Sequence, residues 1–184
     1  EILVNLSLVV PPVVTGYLLL QVFKPEAFLG RFLRQNFNLR VAFHWQGLVV
    51  AAAVMSFPLM VRAMRLAIEA VDPRIEAAAA TLGAPRISVF CRVTLPLIFP
   101  GILAGAVMGF AKAMGEFGAT ITFVANIPGQ TQTLPSAIWT ALQVPGGESR
   151  ALTMAALAGL VALAAVLLSE ALARRVARRI AGAR

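Results

Sequence analysis

Lys112 and Glu116 stand four residues apart inside an otherwise apolar stretch, 94–124. On a helix that spacing puts both on one face, close enough to pair. A charge at membrane depth is costly and points to function by default. Two readings stay open. In one, Lys112 attracts an anion along a path and Glu116 sets a gate. In the other, the two form an internal ion pair that lets the helix cross, or a bond to another span. Repulsion between a carboxylate and an anion favours the second. Thr120, Thr122 and Asn126 add neutral donors near the end of the same stretch. Such donors suit a dianion that must bind weakly enough to leave. Threonine hydroxyls in a helix serve the backbone of the preceding turn equally well.

Other chemistry is sparse. One histidine, His44, cannot build a metal cluster alone, and one cysteine, Cys91, cannot close an internal disulfide. His44 and Trp45 read as interfacial anchors and Cys91 as a small apolar filler. There is no GxxxxGK[ST] loop, no GxSxG and no HExxH. The expectation is a chain without catalytic residues, metal or cofactor of its own.

These few polar groups sit in a very apolar chain. Of 184 residues, 59% are hydrophobic and 13% charged, and the mean hydropathy is +0.84. The charged share is about half that of a soluble domain. A chain this small cannot hide so much apolar surface in one water-facing globule, so lipid is the solvent for much of it. That excludes a disordered protein, a nucleic-acid-binding domain and an ordinary cytosolic enzyme. The net charge of +8 reads as topology, because the arginines flank long apolar runs.

A helix needs about 20 mostly apolar residues to span the hydrocarbon core. Four spans are expected, at about 2–23, 46–68, 94–125 and 151–172, in one all-α transmembrane bundle. Pro11-Pro12 should kink or break the first. Residues 24–45 mix Lys24, Glu26, Arg31, Arg34 and Arg40 with Phe28, Phe32, Leu33 and Phe37. They read as a loop with a short interfacial amphipathic helix. Arg62 and Arg65 should snorkel from the second span. Between the second and third spans lies a polar segment, 69–93. Asp72 suits an N-cap there, Pro73 the first helical position, and Gly83 a stop after Leu82. Another helix can follow from about Pro85. Residues 126–150 form a loop, with a short helix near 136–143. The arginines of 62–92 and the tail Arg174-Arg175-Val176-Ala177-Arg178-Arg179 place the polar segment and the C-terminus in the cytoplasm. Gly101, Gly105 and Gly109, with Ala113 next, form a stripe that lets two helices approach. It suits packing inside one subunit or a two-fold interface.

One spacing in the polar segment is specific. Glu76-Ala77-Ala78-Ala79 precedes Gly83, and nine residues after Gly83 come Val93, Thr94, Leu95 and Pro96. This resembles the coupling loop of ABC transporter permeases: Glu-Ala-Ala, three residues, Gly, nine residues, Ile, one residue, Leu-Pro. Val93 replaces the isoleucine, and Glu76 stands one residue ahead of the family's glutamate. Small alanines allow close insertion into a partner's groove, and Gly83 permits a tight turn. The stretches Gly115-Glu116-Phe117-Gly118, Thr131-Gln132-Thr133-Leu134-Pro135-Ser136-Ala137 and Pro145-Gly146-Gly147 also resemble the molybdate permease subunits of that family. So do Ser56-Phe57-Pro58 and Pro11-Pro12, and the likeness extends over nearly the whole chain.

The resemblance implies a multi-pass permease of the bacterial cytoplasmic membrane that imports molybdate by alternating access. It implies a second copy of the chain, two cytoplasmic ABC ATPases that bind ATP, a periplasmic molybdate-binding protein, and lipid around the bundle. It implies that 69–93, through Asp72, Glu76, Ala77, Ala78, Ala79, Gly83, Val93, Leu95 and Pro96, docks on the ATPase. The family normally has five spans, so a span before the Pro-Pro helix is expected outside this chain. Sulfate, thiosulfate and tungstate are the alternative cargoes. An intramembrane enzyme built on Lys112 and Glu116, or a membrane scaffold, are the alternatives of another kind.

Overall fold

The computed structural model describes residues 9–181, with side chains up to Arg175. The described residues are helical, connected by turns and loops, with no strand among them. Two compact units emerge, Glu1–Pro58 with Phe110–Val161, and Leu59–Gly109 with Ala162–Arg184.

In the first unit, α1 (Pro12–Phe23) begins at the proline pair. Proline at N1 costs nothing, because its absent N–H would be unpaired anyway. The prolines therefore mark a helix start, as the expected break. At 12 residues α1 is about 18 Å long, too short to cross alone. Residues 2–8 of the expected first span lie outside the described residues. The interfacial helix is α2 (Phe28–Phe37), closed by Asn38 at φ 53°, a left-handed cap that asparagine tolerates. Next comes α3 (Trp45–Glu69), 25 residues with Pro58 inside. Its bounds enclose residues 46–68.

The expected third span is interrupted. Its helix, α6 (Leu95–Met114), stops before Gly115, and a separate α7 (Gly118–Phe123) follows. The expected loop helix is α8 (Leu134–Leu142), which starts two residues earlier than the sequence suggests. Thr133 and Ser136 form a reciprocal capping box there, satisfying two otherwise unpaired N–H groups. The fourth span lies within α9 (Glu148–Ala181). The side chains of Arg178 and Arg179, part of the basic tail, lie outside the described ones.

The core of the first unit gathers Val41, Ala42, Ala51, Met55, Ala119, Phe123 and Val124. Phe23 of α1 packs its ring 5.8 Å from that of Phe123. Gly16 of α1 lies against Ala119 and Thr122 so closely that a Cβ would strike the Ala119 carbonyl.

The second unit holds α4 (Pro73–Thr81) and α5 (Arg86–Val89), then a π-turn, Phe90–Thr94, that runs into α6. The π-turn has a cause. Pro96 has no N–H for the carbonyl four residues back, and its ring crowds that carbonyl. A wider turn, with the Leu95 N–H donating to the Phe90 carbonyl, absorbs the misfit. Gly101 sits against Ala67, and Gly105 against Ala63 and Met60, all on α3. Two glycines of the stripe thus seat α6 on α3 within one chain, and Gly109 is buried as well.

Among the described residues three helices are long and apolar enough to cross a membrane: Trp45–Glu69, Arg86–Met114 and Glu148–Arg175.

Candidate functional site

Two segments hold the residues singled out in the sequence. The first is the polar segment of the second unit. The Asp72 carboxylate accepts from the Arg74 N–H at 2.9 Å and caps α4, with Pro73 at the first helical position. The helix ends as a Schellman turn. The Gly83 N–H reaches the Ala80 carbonyl at 3.0 Å and the Ala84 N–H the Ala79 carbonyl at 3.4 Å. Gly83 has φ +80° and open space around its missing side chain, so backbone conformation alone demands glycine.

What this segment presents outward is apolar. Leu82 is 89% exposed and Ile87 80%, and Ala77, Ala78 and Ala80 are exposed on α4. Glu76 turns the other way. It is half-buried and accepts a hydrogen bond from Thr94 Oγ1 at 2.5 Å, within the range of a hydroxyl donating to a carboxylate. Thr94 is buried in the π-turn. Glu76 therefore ties α4 to the entry of α6, a role that agrees with its offset from the motif's glutamate. Val93, Leu95 and Pro96 are half-buried along that entry.

The second segment is the break between α6 and α7. Lys112 Nζ lies 3.0 Å from Glu116 Oε2. Glu116 is 2% exposed, and its other oxygen accepts the Ala119 N–H at 2.9 Å. One carboxylate thus balances the lysine and caps α7. The Thr120 hydroxyl donates to the Phe117 carbonyl at 2.9 Å. The Thr122 hydroxyl donates to the Gly118 carbonyl at 3.0 Å and to Val13 of α1 at 3.3 Å. Asn126 Nδ2 donates to Thr140 Oγ1 on α8 at 2.8 Å. Lys112, Glu116 and Thr120 are brought together around the break, while Thr122 turns to α1 and Asn126 to α8. Both threonine hydroxyls satisfy backbone carbonyls, the alternative their position in helices allows.

Sequence reasoning overlooked Thr94, which occupies the unspecified place between Val93 and Leu95. It also overlooked Leu82 and Ile87, whose exposure in a polar segment is the signal. Among the described residues no cluster of His, Cys, Asp or Glu could hold a metal.

A profile of binding-protein-dependent transport system inner membrane components matches residues 1–182. The chain belongs to this family of ABC permeases. Like its relatives, this permease is a transport subunit and not an enzyme, and ATP is used by partner ATPases. It is 55% identical to the molybdenum transport system permease protein ModB of Escherichia coli K12, over 97% of this chain and 77% of that protein. It is 35% identical to the sulfate transport system permease protein CysT of Salmonella typhimurium, over 99% of this chain and 65% of that protein. Its fold is similar to that of a bacterial ABC transporter involved in the import of the acidic polysaccharide alginate. The TM-score is 0.68 at 21% identity, covering 95% of this chain and 64% of that one.

Proposed function

We propose that this permease carries molybdate across the bacterial cytoplasmic membrane by alternating access. The observation that carries the cargo is the gap between 55% identity to a molybdenum permease and 35% to a sulfate permease. In this reading two copies of the chain line the path. A periplasmic molybdate-binding protein delivers the anion, and two cytoplasmic ATPases close on ATP. Asp72–Pro96 docks on the ATPase, and Leu82, Ile87 and the exposed alanines make the contact. The exposure of those apolar side chains supports this, because apolar surface in a polar loop fits a partner's groove. The segment and the C-terminus then face the cytoplasm, and residues 24–44 and 126–147 face outward.

Lys112 and Glu116 hold the broken helix together in this reading, and do not bind cargo. Selectivity resides in the binding protein, since molybdate, tungstate and sulfate are all tetrahedral dianions.

The test is labelled molybdate uptake in cells lacking their own permease and supplied with the cognate binding protein and ATPase, with excess unlabelled sulfate as competitor. Saturable uptake that sulfate leaves intact is expected. Uptake abolished by sulfate would move the chain to the sulfate permeases.

A further inference from the structure

The loop between α1 and α3 holds a cavity of about 290 Å³ that no step of transport uses. Arg34, Arg40 and His44 line it with the apolar Phe23, Val41 and Ala42, and no carboxylate does. Among the described residues neither Arg34 nor Arg40 has an ion-pair partner, whereas Arg31 donates to the Glu26 carbonyl at 2.8 Å. The His44 Nδ1 atom is buried with no hydrogen-bond partner. A buried polar atom left unpaired calls for an explanation, and a ligand-binding role is one.

The backbone around the cavity is unusual too. Asn38 has φ 53° and Phe43 φ 59°. Asparagine tolerates the left-handed region, but a bulky phenylalanine there is strained. Such strain persists where surrounding structure holds it, and it clusters at ligand-binding sites. The two turns bring Arg40 and His44 back beside Arg34 of α2. Gly30 of α2 lies against the carbonyls of Phe23 and Lys24, which seats the helix tightly on the wall formed by Phe23.

We infer that this cavity binds a tetrahedral oxyanion group, held by the Arg34 and Arg40 guanidinium groups and by His44. Planar, fork-shaped guanidinium donors match such a group, and both arginines are exposed, so an anion can reach them from outside. The group has two possible sources. The cavity is lined up to His44, the residue before α3, a helix long and apolar enough to cross a membrane. Phe28 on α2 is 85% exposed and Phe37 62%. A helix with such side chains beside cations lies at the lipid boundary, where a phospholipid phosphate is within reach. A soluble oxyanion in the aqueous phase is the other source. The site stands apart from the cargo assignment and does not depend on it.

The test uses the purified full-length permease in two arms. In one, phosphatidylglycerol nanodiscs are compared with maltoside micelles, which carry no phosphate. In the other, the protein in those micelles receives inorganic phosphate or molybdate. The readout is modification of Arg34 and Arg40 by phenylglyoxal, measured by peptide mass spectrometry on the unaltered chain. Protection is expected in at least one arm. Protection by phosphatidylglycerol identifies a lipid headgroup, and protection by the soluble ions a free oxyanion. Binding of the protecting probe should fall about tenfold in Arg34→Gln/Arg40→Gln, as loss of charged hydrogen bonds implies, and be largely retained in the double lysine variant. No protection in either arm overturns the site, as does equal binding by the unaltered chain and the glutamine variant.

Discussion

The polar segment at 72–96 and the break at 115–126 differ in where their side chains make contacts. In the break, Glu116 uses both carboxylate oxygens inside the chain, and Thr120 and Thr122 use their hydroxyls on backbone carbonyls. In the polar segment the internal bonds include those of Asp72, Thr81, Thr94 and the Gly83 turn, and Leu82 and Ile87 are left exposed. One region completes its bonds internally and the other leaves apolar side chains exposed. In the proposed function the first is a structural device and the second an interaction device, although both were conspicuous in the sequence.

Substitutions can break this contrast. The largest expected effect is Gly83→Leu. A residue with a side chain at φ +80° costs about 1–2 kcal/mol, so the protein should still insert. The displaced Leu82 surface should lower uptake more than tenfold while ATP hydrolysis continues. Normal uptake with normal protein levels would remove the coupling role. Glu116→Ala is expected next. It leaves the Ala119 N–H uncapped and Lys112 unpaired, which lowers stability by about 2–3 kcal/mol. Thermal unfolding in detergent should show that loss, and uptake should fall only in step with protein abundance. Lys112→Met should cost less, about 1 kcal/mol, because the Ala119 N–H still satisfies the Glu116 carboxylate. Its apparent affinity for the anion should be unchanged. A changed affinity at unchanged abundance would make Lys112 part of the pathway. The smallest effect is expected from Thr94→Val, about 0.5–1.5 kcal/mol for one hydrogen bond. A Glu76→Gln partner variant should show no additional loss in the double-mutant cycle if the two side chains act only on each other.

Much of this was legible beforehand for physical reasons. Long apolar runs placed α3 and α9, because the hydrocarbon thickness sets a length that composition reveals. The Asp72 cap, Pro73 and the Gly83 stop were readable because capping is local chemistry. The break after Met114 was not. Residues 115–124 carry one charge, Glu116, in a stretch otherwise without any, and its carboxylate accepts the Ala119 N–H where the second helix starts. Hydropathy carries no trace of that bond. The roles of Thr94 and Glu76 were hidden for a related reason, since their pairing spans 18 residues and depends on a π-turn. The cavity at Arg34, Arg40 and His44 lay in a segment readable as interfacial, yet its shape comes from two left-handed residues, one of them a phenylalanine that no turn rule anticipates.

The π-turn at Phe90–Thr94 has a rotational meaning. An α-helix turns about 100° per residue, so one extra residue in a turn swings all that follows by about that angle. Thr94 faces Glu76, and Gly101 and Gly105 face α3, in a phase that an unbroken helix through 86–114 would not reproduce. Deleting a single residue from 90–94 would therefore act as a dial, turning the Arg86 end of the helix against its Gly101 end while altering no side chain in either.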